Sequence, residues 1–216
     1  MNPDMIEYYA RRAREYEAIY HHPERQPDLD QLRERLSTVF SGMDVLDVAC
    51  GTGYWTEYIA RSAKSIVATD VSEEVMELAR EKNYGSCPVQ FVRADAYDLS
   101  VIAETFPACF AGFFWSHIPK QRRREFLENL HRRLRPGAKV VMIDNMFVKG
   151  EMTELHRSDE HGNTYRERKL ADGSTYEITK NYPTEEEFRR ALSGLAEVTE
   201  WREYKYYWWA EYKLPS

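Results

Sequence analysis

What most constrains this chain is an alternation, between residues 45 and 144, of short apolar runs with amphipathic stretches, opened by a glycine turn. The run 45–49 ends in Cys50-Gly51-Thr52-Gly53 and reads as a buried strand that feeds a helix over 54–62. Further strands are predicted at 65–69, 89–93, 109–115 and 139–144, the last delivered by an Arg135-Pro136-Gly137 turn. Between them fall helices at 73–82 and 121–134 and a weak one near 101–105. Strand alternating with helix requires right-handed crossovers. The result is an α/β, Rossmann-like parallel sheet with helices on both faces.

The flanks read differently. Residues 5–20 are helical, with Tyr9, Ala13, Tyr16 and Tyr20 on one stripe, closed by Pro23 and Pro27; a second helix covers 29–40. After Asp144, segments 164–170 and 175–180 flank Ala171-Asp172-Gly173-Ser174, a hairpin signal. A helix over 185–192 starts with Thr184 as N-cap and Glu187 three residues on, a capping box. Strands 196–203 and 206–212 are joined by a short turn and should pair antiparallel. Alternation sends Tyr206, Trp208 and Tyr212 to one face and Tyr207 and Trp209 to the other, as in a strand buried on both sides. What packing does not take of these aromatics, with Trp201 and Tyr204, is available to a substrate pocket or a homodimer contact. With no internal repeat or linker, one domain over 1–216 is the economical reading, with a β-hairpin insertion at 150–182.

Composition removes several classes. A chain of 216 residues can bury one sizeable core. Its 30 basic and 36 acidic residues give a net charge of -6, which provides no global footprint for nucleic acid. Residues 120–135 hold seven Lys/Arg against two Glu, but Phe126, Leu127, Leu130 and Leu134 recur at helical spacing. Arg122, Arg123, Arg124, Arg132 and Arg133 then form the wet side of an amphipathic helix. The longest apolar run, 108–115, is far short of the ~20 residues of a membrane helix, and 1–20 lacks the apolar core of a secretory signal, so a cytoplasmic protein is expected. Cys50, Cys87 and Cys109, and His21, His22, His131, His156 and His161, lack the spacing of a disulfide framework or a metal site.

The chemistry concentrates at strand ends. Gly51 and Gly53 let the backbone turn and approach a ligand with no Cβ in the way, and the helix that follows offers free N–H groups. Asp70 ends the second strand, 17 residues past Gly53, where it can accept hydrogen bonds from ribose hydroxyls; Asp95 ends the third. The ends of consecutive parallel strands converge on one crevice. The spacing Gly-x-Gly-x-x-Thr lacks the third glycine of the dinucleotide fingerprint, which weighs against a nicotinamide dehydrogenase.

Val45-Leu46-Asp47-x-x-Cys50-Gly51-Thr52-Gly53, with Asp70, Asp95-Ala96 and Leu134-Arg135-Pro136-Gly137, resembles the class I S-adenosylmethionine-dependent methyltransferases over roughly 5–144. The resemblance implies a seven-stranded, mostly parallel sheet with an antiparallel last strand. It also implies S-adenosylmethionine as cofactor and S-adenosylhomocysteine as product. Asp47 would lie near the cofactor's amino group, Gly51 and Gly53 would face its methionine part, Asp70 would hold the ribose, and Val71 would pack on adenine. Asp95 and the backbone of Ala96 would read the adenine edge. The segment from Tyr8 to Tyr16 resembles the part that small-molecule members fold over the cofactor, so Tyr9 and Tyr16 would exclude water there and 1–40 would be cofactor-covering helices. In place of the Asn/Asp-Pro-Pro-aromatic motif of nucleic-acid and protein amino-methylating branches stands Phe113-Phe114-Trp115-Ser116-His117-Ile118-Pro119. This points to a small-molecule acceptor methylated on oxygen or nitrogen, with Trp115 on the methionine part of the cofactor or in a core or crevice-wall role, and His117 as proton acceptor. Two other readings remain at this point: an RNA or protein methyltransferase docking through 120–135, and a non-catalytic S-adenosylmethionine-binding partner subunit.

Overall fold

The computed structural model describes residues 3–151, 154–170 and 172–216, apart from the side chains of Pro3 and Arg14. Helix α1 (Pro3–Arg12) tightens into 3-10 geometry over Ala13–His21, and α2 (Gln26–Val39) follows a short 3-10 turn. Then come β1 (Asp44–Val48), α3 (Tyr54–Ile59), β2 (Ser65–Asp70), α4 (Glu73–Arg80), β3 (Val89–Arg93), β4 (Phe106–Gly112), α5 (Arg123–His131) and β5 (Leu134–Asn145). The chain continues through β6 (Arg157–Ser158), β7 (Thr164–Lys169), β8 (Thr175–Thr179), α6 (Glu185–Leu192), β9 (Glu197–Glu203) and β10 (Tyr207–Lys213).

Seven strands form one sheet in the order β3-β2-β1-β4-β5-β10-β9, in which β10 runs antiparallel to both neighbours. This is the mostly parallel sheet with an antiparallel closing strand expected above. Apolar residues on successive positions divide between its faces. Leu46, Val48, Trp208 and Tyr212 pack under α5 and α6 with Phe126, Leu130 and Phe188. Val45, Tyr207 and Trp209 pack under α2 and α3 with Leu29, Leu36 and Ile59. Each such fully buried side chain contributes about 1.5–3 kcal/mol. A third cluster, Met5, Tyr8 and Ile178, docks α1 on β8, which lies in a separate antiparallel sheet β6-β7-β8. The Asp-Gly turn between β7 and β8 is present, with Gly173 at φ +87°; Ala171 of the expected turn lies outside the described residues. No helix of the described residues is long and apolar enough to cross a membrane.

Four sequence expectations change. No helix forms at 101–105: Ile102 is buried and Val101 exposed in a turn closed by the Ile102 N–H on Leu99 O, and so short a stretch cannot repay helix nucleation. The fourth strand stops at Gly112, because Phe113 adopts φ +59° and turns the chain out of the sheet. Arg123 is buried, not on a wet face. Residues 120–122 form a 3-10 turn, so α5 starts at Arg123 and puts Arg123, Phe126, Leu127 and Leu130 on its inward i, i+3, i+4, i+7 stripe. Tyr206 precedes β10 and packs on the same side as Tyr207 and Trp209.

Candidate active site

The sheet reverses its direction of growth between β1 and β4, and the crevice at their carboxyl ends is where an open α/β sheet takes a ligand. Both strands end in a non-glycine residue at positive φ, Ala49 at +56° and Phe113 at +59°. Such backbone costs of order 1–3 kcal/mol and persists where the surroundings enforce it. Here the Cys50 N–H bonds Thr69 O (2.9 Å) and the Phe113 N–H bonds Ile143 O (2.7 Å).

The loop after β1 turns through Gly51 (φ +57°) and Gly53 (φ +75°) into α3. The Gly51 N–H donates to Asp70 Oδ2 at 2.9 Å and the Ser72 N–H to Asp70 Oδ1 at 3.0 Å, so the carboxylate at the end of β2 shapes the glycine turn. Burial raises the Asp70 pKa against the pull of these donors. A Cβ on Gly51 would stand in open space, leaving bare backbone toward a cavity that Gly51 helps to line. The α1 segment and the 3-10 stretch after it roof this cavity with Met5, Ile6, Tyr9, Tyr16 and Tyr20. Tyr20 stacks on Tyr54 (centroids 4.1 Å) and accepts the Trp55 indole N–H at 3.0 Å. Thr52 donates to Glu17 (2.6 Å), which also holds Lys82 (3.0 Å), tying the roof to the glycine loop.

Of the residues singled out from sequence, Tyr9, Tyr16, Gly51, Asp70, Val71 and His117 share this cavity's wall. Gly53 stands behind it against α4, where a Cβ would meet Ala79 Cβ at 3.0 Å and the Tyr84 hydroxyl. Asp47 lies beneath the loop, 1% exposed, and accepts from the Thr56 hydroxyl at 2.6 Å; burial pushes its pKa to about 7. It pins α3 to β1 instead of facing the cavity. Asp95 and Ala96 lie outside the wall, where Asp95 Oδ1 accepts the Tyr97 N–H (2.9 Å) in the turn after β3 and Ala96 is buried. Trp115 is also outside. It packs on Phe188 (4.9 Å) under the Arg123 guanidinium (5.0 Å), because the chain has left the sheet at Phe113.

His117 is in place but not basic. Its Nδ1 lies 2.7 Å from Thr179 O, an acceptor only, so Nδ1 carries the proton and Nε2 accepts from the Tyr9 hydroxyl at 2.8 Å. Burial, reinforced by Lys180, lowers its pKa to about 3. The expected proton acceptor is therefore a neutral imidazole with both nitrogens engaged.

Sequence reasoning missed the group beside it. Lys180 Nζ donates to Ser116 Oγ (2.7 Å), Asn145 Oδ1 (2.9 Å) and Asp144 Oδ1 (3.2 Å). Burial alone would raise the Asp144 carboxyl, but the Lys180 ammonium and the N–H groups of Ser116 and Asn145 outweigh it and hold it below the ordinary range. Asp144 stands one residue before the end of β5, much as Asp70 ends β2, and that position near a strand end was its only signal.

The family described as a methyltransferase domain matches residues 45–137. The demethylmenaquinone methyltransferase of Clavibacter sepedonicus is 35% identical over 104 residues, covering 48% of this chain and 42% of the relative. That of Staphylococcus aureus (strain MRSA252) is 32% identical over 109 residues, covering 49% and 44%. The chain thus spans less than half the length of these relatives. Solved structures match end to end: the DhpI-SAH complex at 25% identity and TM-score 0.77 over 98% of this chain and 96% of DhpI, and the DhpI-SAM-HEP complex at 26% and 0.77 over 97% and 95%. The glycine turn, strands β2 to β4 and all but the first residue of β1 fall within residues 45–137, which match the methyltransferase domain, and along its whole length the chain is similar to the SAH- and SAM-bound DhpI structures.

Proposed function

We propose that this protein transfers a methyl group from S-adenosylmethionine to an oxygen or nitrogen atom of a small organic acceptor. The observation that carries the reading is the roofed cavity at the β1–β4 switch point, with a bare glycine turn and an Asp70 carboxylate at one end and aromatic side chains over the other. These residues fit the cofactor: Asp70 keeps lone pairs for ribose hydroxyls beyond the two N–H groups it accepts, Val71 offers an apolar contact for adenine, and Gly51 lets the chain approach with no Cβ. The bound cofactor supplies a methyl carbon on a positively charged sulfur.

The chain's own residues then position and enclose. Tyr9, Tyr16 and Tyr20 exclude water, which strengthens electrostatics at the reacting centre, and in-line placement of the acceptor supplies most of the rate. His117 orients the Tyr9 hydroxyl by accepting its proton in a hydrogen bond. With a pKa near 3 it is a positioning residue and not a base. The relatives that match in sequence are named for a small molecule, and DhpI, which matches throughout, is solved with SAM and HEP. Docking of a macromolecule through 120–135 loses support because Arg123 is buried, and Arg122 and Arg124 pair with Glu125 and Glu128 at 2.7 Å.

Titration calorimetry with S-adenosylmethionine, S-adenosylhomocysteine and NAD tests the cofactor. Micromolar binding of the two sulfur compounds and none of NAD is expected; NAD binding alone overturns the assignment. Cofactor binding without turnover on any acceptor would instead favour a non-catalytic partner subunit.

A further inference from the structure

A second cavity adjoins the first, and Tyr9, Tyr16, Phe113 and His117 line both. Five cationic side chains line it: Arg12 from α1, Arg25 from the turn before α2, Arg166 and Arg168 from β7, and Lys180 just past β8. Arg166 and Arg168 are two residues apart on one strand and so share a face. One carboxylate, Glu151, is present, and it is held by Lys205 (2.9 Å) and the Tyr206 hydroxyl (2.5 Å). The Lys180 charge is answered by Asp144. Among the described residues, none of the four arginines has a carboxylate within ion-pair distance. Arg12 donates to the neutral Tyr8 hydroxyl (2.9 Å). Arg166 is 4% exposed, with Nε and Nη2 lacking a hydrogen-bond partner, and Arg25 Nε and Arg168 Nε lack one too.

A buried guanidinium with unpaired N–H groups is costly, and native proteins retain one where a partner completes it. Here three guanidinium groups with such an N–H, those of Arg25, Arg166 and Arg168, line one space together with Arg12, in a chain whose net charge is -6. The partner must be anionic, small enough for the cavity, and rich in acceptor oxygens matching guanidinium forks. A protonated amine would be repelled, and a neutral apolar molecule would leave the arginines unpaired. Beside it, along the shared residues, lies the cavity assigned to a cofactor with a positive sulfur, next to which an anion is favoured.

We propose that the second cavity is the acceptor site and that it selects a small organic oxyanion, a phosphoryl or carboxylate group gripped by Arg12, Arg166 and Arg168 beside Lys180. The inference rests on the proposed function, since it takes the first cavity for the cofactor. It narrows the acceptor from any oxygen or nitrogen compound to an anionic one.

The test is calorimetry on the full chain loaded with S-adenosylhomocysteine, titrated at constant ionic strength with inorganic phosphate, malonate, acetate and n-butylamine. Phosphate or malonate should bind more tightly than acetate, and butylamine should not bind. Phosphate ahead of malonate identifies a phosphoryl acceptor, and the reverse a carboxylate one. Arg166→Gln and Arg168→Gln should each weaken the oxyanion by roughly tenfold or more, with S-adenosylhomocysteine affinity unchanged within about twofold. Arg61→Gln, on the exposed surface, should change neither. Should Arg166→Gln fail to fold, the partly exposed Arg12 and Arg168 carry the test. Failure of S-adenosylhomocysteine to bind overturns the cofactor assignment. Its binding without any oxyanion, or with Arg168→Gln as tight as wild type, overturns the acceptor inference alone.

Discussion

Asp70 performs two tasks with one carboxylate. It accepts the Gly51 and Ser72 N–H groups that set the glycine turn, and it turns its remaining lone pairs to the cavity. Asp70→Ala should therefore weaken S-adenosylmethionine binding by about 1.5–3 kcal/mol, the range for a hydrogen bond to a charged group. Calorimetry showing unchanged affinity would remove Asp70 from the site. At this scale residue identity was legible in the sequence and environment was not. His117 could be picked out as the titratable group past the fourth strand, but its loss of basicity comes from burial and from Lys180, 63 positions later in the chain. Asp47 was likewise visible, while its place under the loop depends on the Thr56 hydroxyl arriving from α3.

Among elements, the loop from β1 to α3 shows how two glycines at similar φ serve different ends. Gly53 faces α4, so Gly53→Ala adds a clash with Ala79 and Tyr84 to the left-handed backbone cost and should destabilise the fold by about 1–3 kcal/mol in urea unfolding. Gly51→Ala meets nothing in the protein. Only the backbone term remains, about 1–2 kcal/mol, but its Cβ projects toward the cavity and should lower cofactor affinity. Equal effects of the two substitutions on affinity would show that the turn acts only through its conformation. The main sheet was readable because helical and strand periods differ, and β3 and α6 fall where the pattern put them. The end of β4 was not, since a phenylalanine at positive φ leaves no signal in apolar periodicity. Strand β6, two residues long, is too short for any pattern.

On the scale of the whole molecule, charge is distributed in a way no local window reveals. Arg166 and Arg168 look like the wet face of a hairpin until α1 packs across β8 and encloses them with Arg12 and Arg25. The same enclosure couples folding to pH. In the folded chain His117 titrates near 3 and His131 near 4, both lowered mainly by burial, against about 6.5 unfolded. Below pH 6.5 the unfolded chain thus binds two protons that the folded chain refuses. Asp47 acts oppositely: near 7 folded and about 3.9 unfolded, it keeps a proton in the folded state that the unfolded chain has lost. Between about pH 4 and 6.5 the unfolded excess from these groups is two minus one, so they make stability rise with pH by up to ~1.4 kcal/mol per unit. Above 6.5 the histidine contributions end and Asp47 alone makes stability fall toward pH 7. His117→Gln removes one refused proton, so the balance becomes one minus one and this contribution flattens between pH 5 and 6. Urea unfolding of both proteins at those two pH values measures the difference in slope, and identical slopes would mean that His117 keeps an ordinary pKa in the folded chain.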